Sequence, residues 1–156
     1  MLTKENIDIV FQKYDSLPFW KSPYSRLIAL LQLSRGDKYW YYTHVELTMI
    51  NNGKRTFIGA RAPDGITVVP EGDKLVDNEW HVPKLKSDID TMVIYHWLFK
   101  HVGTKYDWYA IFFSQALSLN EEDEKKYYCS EAIAEGLSLK NTRRRPSQIY
   151  EIVADV

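Results

Sequence analysis

Apolar residues recur along this chain with two different spacings, and the change of spacing marks out its elements. Near the start, Ile7, Val10, Phe11 and Tyr14 fall at i, i+3, i+4 and i+7. That is the spacing of a helical stripe, and it predicts a helix over Thr3 to Ser16, with Thr3 as N-cap and Glu5 in the first turn. A second short helix is predicted from Pro23, capped by Ser22 and stopped at Gly36, although Leu27 to Leu31 also fits a strand. From Tyr39 to Ile50 the period becomes two, which predicts a strand. One face carries Tyr39, Tyr41, Thr43, Val45, Leu47 and Met49. The other carries Trp40, Tyr42, His44, Glu46, Thr48 and Ile50, so an imidazole and a carboxylate project the same way. Asn51-Asn52-Gly53 supplies a tight hairpin turn, and Lys54 to Ala60 returns as the partner strand. Pro63-Asp64-Gly65 makes another turn before a third strand, Ile66 to Val69, and Trp80-His81-Val82 reads as a fourth.

The second half returns to helical spacing. Ser87 is predicted to cap a helix bearing Ile89, Met92, Val93 and His96, with Lys100 and His101 in its last turn and Gly103 as its stop. Asp107 is placed to cap the next, through Trp108, Ile111, Phe112, Gln115 and Leu119; Glu121 to Lys126 is a charged connector. A further helix is predicted over Tyr127 to Leu137, and a last short one after Pro146. Strands followed by helices predict an α+β fold, a small antiparallel sheet packed against helices, and 156 residues fit one domain spanning 1–156.

Composition narrows the function. Twenty basic and 21 acidic side chains give a net charge of -1, so no global field favours nucleic acid or an anionic membrane. The N-terminus lacks the basic region and apolar run of a secretion signal, and no apolar stretch approaches the roughly 20 residues of a membrane helix. The expectation is a soluble cytoplasmic protein, made in the cytoplasm and without a membrane span, whose action can fall elsewhere after lysis or packaging. One cysteine forms no internal disulfide. Metal-binding spacings such as Cys-x-x-Cys or His-Glu-x-x-His are absent, as is a Gly-rich phosphate loop, so neither metal nor cofactor is expected.

That leaves Cys129, which opens its predicted helix in Tyr-Tyr-Cys-Ser-Glu. Unpaired N–H groups and the macrodipole at a helix start favour a negative charge, and so a nucleophilic thiolate. Its alternative is a small buried apolar residue. Glu131 works against the thiolate, since a nearby carboxylate opposes its ionisation. His44 is the candidate base, against a structural strand histidine, and Glu46 the candidate partner that fixes its tautomer, against a solvent-facing strand residue. Neighbours at i and i+2 on a strand lie roughly 7 Å apart at the backbone. His81, His96 and His101 suit structural positions better. Arg143-Arg144-Arg145 reads as a solvated turn rather than an anion site.

Four segments carry a likeness to a known family: Tyr42-Thr43-His44-Val45-Glu46-Leu47, Phe57-Ile58-Gly59-Ala60-Arg61 leading to Gly65-Ile66, Lys105-Tyr106-Asp107-Trp108, and Tyr128-Cys129-Ser130-Glu131. In this order the chain resembles the circularly permuted NlpC-like branch of the papain-like cysteine hydrolases, close to its YiiX-type and phage-encoded members. The likeness spans about residues 20 to 150. It implies a permuted papain-like fold in which the histidine strand precedes the cysteine helix, with Cys129 as nucleophile and His44 as base. In such proteins a third polar residue, often a glutamate, lies on the strand after the histidine strand. Here that stretch reads Ile58-Gly59-Ala60, so either Glu46 orients His44 or the pair works as a dyad.

The resemblance also implies a substrate: an amide in peptidoglycan stem peptides, with a lipid ester or another acyl group as the alternative. A third possibility is a non-catalytic, virion-associated binding module that keeps the fold. For a phage-encoded member the site of action would be the host cytoplasm or the virion.

Overall fold

Alternation, where both faces of a strand are covered, disappears into a continuous apolar run, and this happens at the start of the chain. The computed structural model describes residues 6–16, 23–72, 79–107 and 126–156. The first element is a strand, β1 (Ile7–Lys13), and not the expected helix. Ile7, Ile9 and Phe11 point into the main core, while Val10 packs on the other side with Phe57, Val69 and Trp80. A run that is apolar on both faces contains i, i+3, i+4 spacings by default, so the helical match carried no information; pairing with a neighbour decided. Thr3, Glu5 and Ser22, named as caps and first-turn residues, lie outside the described residues.

β1 pairs antiparallel with β2 (Tyr42–Asn51), which pairs with β3 (Lys54–Arg61), which pairs with β4 (Gly65–Pro70), in the order β1-β2-β3-β4. The β2–β3 turn has Asn52 and Gly53 at positive φ, 51° and 74°, as a tight hairpin requires. Trp80-His81-Val82 does not form a fourth paired strand. It contributes one antiparallel bridge, in which Phe11 and His81 exchange backbone hydrogen bonds of 2.9 and 2.8 Å.

The β1–β2 register slips beside the candidate base. Gln12 faces His44, but the next residue, Lys13, faces Tyr42, so Thr43 is an extra residue on β2. The bulge corrects the assignment of faces. Tyr42 does not share the face of His44 and Glu46; it turns into the core, stacking on Tyr150 at 4.4 Å between ring centroids and bonding His81 Nδ1 through its hydroxyl at 2.8 Å.

Four described helices pack against the sheet. α1 (Pro23–Ser34) packs on β2, and α2 (Thr91–Lys100) begins after an Asp90 cap whose carboxylate accepts from Met92 N at 3.0 Å. Asp90 thus replaces Ser87 as the cap, leaving Ile89 before the helix. A short parallel pair, β5 (Lys105–Tyr106) and β6 (Lys126–Tyr127), leads into α3 (Cys129–Gly136), two residues later than expected because Tyr127 is held in strand pairing. α4 (Pro146–Val153) closes the described chain. The core joins Val45, Leu47 and Ile58 of the sheet to Ile94 and Leu98 of α2, Ala132 and Ile133 of α3, and Ile149 and Val153 of α4. The fold is α+β, a four-stranded antiparallel sheet with helices packed against it. The helix expected after Asp107 and the connector from Glu121 fall outside the described residues, apart from Lys126.

Arg145, expected in a solvated turn, instead clamps Asp37 bidentately, at 2.6 Å from Nε and 2.7 Å from Nη2. Beside it the buried amide of Gln32 ties three elements together. Its Nε2 donates to Trp40 O at 2.6 Å and Tyr42 O at 2.8 Å, and its Oε1 accepts from the backbone and hydroxyl of Ser147 at 3.2 and 2.9 Å. Among the described residues no helix is long and apolar enough to cross a membrane.

Replacing Gln32 by Leu strands two carbonyls and a backbone N–H at once. Urea unfolding of Gln32→Leu is expected to show a loss of about 3 kcal/mol or more, at 1 to 3 kcal/mol for each buried unsatisfied group.

Candidate active site

β2 brings the three candidate residues to one place through the combination of a period of two and a helix start. His44 and Glu46 stand on the same face, and their side chains close the backbone gap: His44 Nε2 lies 2.6 Å from Glu46 Oε1. With Nε2 so engaged, Nδ1 is the ring nitrogen left free of Glu46, and Cys129 stands close enough to the imidazole to raise its pKa. Cys129 is the first residue of α3, is 5 % exposed, and follows the N-cap Tyr128. The first bond of the helix runs from Ala132 N to Tyr128 O, so the N–H groups before Ala132 have no carbonyl one turn back. Cys129 therefore stands beside a hydrogen-bonded His44–Glu46 pair.

Glu46 is not a solvent-facing residue. Its side chain is fully buried, and its second oxygen, Oε2, accepts from Arg61 Nη2. A buried carboxylate is costly unless paired and hydrogen-bonded; here both oxygens have cationic partners. Space for it comes from β3. A Cβ at Gly59 would stand 2.7 Å from Glu46 Cγ and 3.1 Å from Cδ. The missing carboxylate on Ile58-Gly59-Ala60 and the presence of Glu46 are one fact: β3 gives up a side chain so that β2 can bury one.

The charges reinforce one another. Burial works to lower the pKa of His44, but the negative charge on Cys129 and its hydrogen bond, then the hydrogen bond and charge of Glu46, outweigh it and push the imidazole up to about 10. Tyr106 on β5 stands close by. Burial raises its phenol well above the ordinary value, and the charges of Cys129, Tyr128, Asp107 and Glu46 push the same way. Its strand is seated by Gly65, where an added Cβ would lie 1.9 Å from Thr104 O, and by the pairing of Tyr106 with Tyr127. Glu131, two residues beyond the thiol, accepts a hydrogen bond from the Tyr128 backbone. Burial and Asp107 nevertheless push its carboxyl up to about 7, against that bond and Arg143. A neutral carboxyl opposes a thiolate less than a carboxylate does.

Arg61, Gly59 and Tyr106 were not singled out by sequence reasoning as site residues. Alternation along β3 from Gly59 puts Arg61 on the Glu46 face, a signal that was present in the sequence. Tyr106 stands in a segment of the family likeness, Lys105-Tyr106-Asp107-Trp108, without a role read for it; it reaches the site through a parallel pairing between distant segments. His96 and His101 take no part; His101 Nδ1 bonds Trp97 O at 2.7 Å at the end of α2. Among the described residues no three His, Cys, Asp or Glu side chains are placed to hold a metal ion. Comparison with protein-family models and with curated proteins finds no match for this chain.

Two outcomes are expected from this geometry. Histidine NMR titration should place the His44 imidazole near pH 10, and Cys129→Ala should lower that value. Because the folded pKa lies above the ordinary 6.5, the stabilisation from this proton is complete below about pH 6.5 and lost as pH rises through about 10. Gly59→Ala should displace Glu46, costing about 1 to 3 kcal/mol in urea unfolding and lowering the His44 pKa, since the added methyl overpacks a filled space.

Proposed function

We propose that this protein is a cysteine-dependent hydrolase that forms an acyl-enzyme on Cys129. The placement of Cys129 beside the hydrogen-bonded pair His44–Glu46, with Arg61 behind it, carries the reading. A thiol, an imidazole raised by that thiol, and a buried carboxylate on the far ring nitrogen are what nucleophilic attack on a carbonyl needs. A structural cysteine needs none of them.

His44 takes the thiol proton, and the Cys129 thiolate attacks the substrate carbonyl carbon. As the C–N or C–O bond of the leaving group breaks, the imidazolium returns the proton to the departing nitrogen or oxygen. Water, deprotonated by His44, then hydrolyses the thioester and frees the acid and the thiol. Glu46 fixes the tautomer that presents Nδ1 to the sulfur and stabilises the imidazolium; Arg61 pairs with the second oxygen of Glu46 in its buried position. The backbone N–H of Cys129, at the helix start, is the group this reading assigns to the oxyanion.

The histidine strand precedes the cysteine helix, and the helix packs on a small antiparallel sheet, which supports the circularly permuted papain-like fold of NlpC-like hydrolases. On that likeness we propose an amide in a peptidoglycan-type peptide as the substrate. An acyl ester is the competing substrate, and the same residues would act on it.

Purified protein assayed against peptidoglycan fragments and acyl esters separates the two. Cys129→Ala is expected to abolish turnover of either, and His44→Ala to reduce kcat by roughly 100-fold to 10,000-fold. Glu46→Gln should cost less than His44→Ala. Full activity in Cys129→Ala overturns the proposal.

A further inference from the structure

α1 carries apolar residues on its outer side as well as its inner one, and leucines in a helix normally turn inward. Its inner face, Ile28, Ala29 and Gln32, is packed against the protein. Its outer side still shows Leu30 at 63 % exposure, Leu33 at 48 % and Leu27 at 40 %. Leu27, Leu30 and Leu33 follow one another at i, i+3 and i+6, so they form a stripe rather than scattered residues, and contiguous exposed apolar surface marks a contact site.

Charge indicates what the stripe contacts. Between Pro23 and Lys38 the chain carries Arg26, Arg35 and Lys38 against one carboxylate, Asp37. That carboxylate is occupied: Arg145 clamps it, the Ser147 hydroxyl donates to it at 2.6 Å, and its pKa is lowered, burial being outweighed by these partners. Arg35 and Lys38 are exposed at the C-terminal end of the stripe. Leucines beside outward cations match the interface of a bilayer, where apolar side chains enter the acyl boundary and cations meet anionic headgroups.

We propose that α1 is the face on which this protein lies against a bilayer containing anionic phospholipid. The placement bears on the candidate site. Ile28, on the buried side of the same helix, packs against Tyr128 and Tyr106, the residue preceding Cys129 and the tyrosine beside it. A surface in contact with the outer side of α1 is thus separated from the nucleophile by about one helix diameter, roughly 10 to 12 Å. The proposal does not depend on which bond Cys129 attacks, or on whether it attacks one.

Co-sedimentation with vesicles tests it. The intact protein should bind vesicles of phosphatidylcholine mixed with phosphatidylglycerol more tightly than phosphatidylcholine alone, and added salt should weaken the difference. Leu27→Ser with Leu30→Ser should lower partitioning tenfold or more, from the apolar area lost. Arg35→Gln with Lys38→Gln should remove the preference for anionic lipid, while Phe99→Ser, exposed on α2, should change neither. Circular dichroism checks that each variant is folded, as expected for exposed positions. No binding to anionic vesicles at low salt overturns the proposal, as does binding that survives loss of both leucines. Sedimentation of the wild type as a dimer that Leu30→Ser dissociates, without vesicle binding, also overturns it and makes a second copy the occupant.

Discussion

The carboxylate of Glu46 is the charge around which the rest of the candidate site is arranged. It is buried in a sheet face, where an isolated anion would be untenable, and it survives because two cationic side chains share it, His44 on one oxygen and Arg61 on the other. That constraint reaches into each neighbouring strand. β3 must present a glycine opposite it and an arginine two residues further on, and β2 must place the imidazole two residues before it. The pairing with Cys129 then follows from the packing of α3 on β2 and β3, which brings the start of the helix to the imidazole.

The helices serve that arrangement from a distance. Gln32 and the Arg145–Asp37 pair lock α1 and α4 to the turn before β2, so the strand that carries His44 and Glu46 is fixed at its beginning by hydrogen bonds, along its length by pairing with β1, and from Leu47 onward by pairing with β3 as well. Tyr106 is tied in from the other side through the β4 turn and the β5–β6 pair. A site on paired strands and a helix start is held more firmly than one on loops.

How much of this was legible in the sequence depends on whether the signal was local. The alternation read over Tyr39 to Ile50, which holds beyond the extra residue at Thr43, placed His44 and Glu46 on one face, and the Asn52-Gly53 turn set the hairpin, because both features are properties of a few consecutive residues. Proximity of Cys129 to His44 is not local; only the resemblance joined them. β1 was misread because a strand covered on both faces loses its period. The burial of Glu46 was invisible too, since it depends on Gly59 and Arg61 across the sheet, and an absent side chain on one strand does not announce the one that fills its place.

The extra residue at Thr43 has a consequence for how this strand can vary. Upstream of it lie tyrosines whose rings pack with Phe11 and Tyr150; downstream lie the ionisable groups. With a residue interposed, the two halves of β2 are out of phase, so Tyr42 shares the core face with Val45 and Leu47 while His44 and Glu46 take the other face without a break in the strand. The two can therefore diverge separately: the tyrosine cluster is free to repack under selection for stability while the imidazole keeps its bearing. A strand of unbroken alternation would have coupled them.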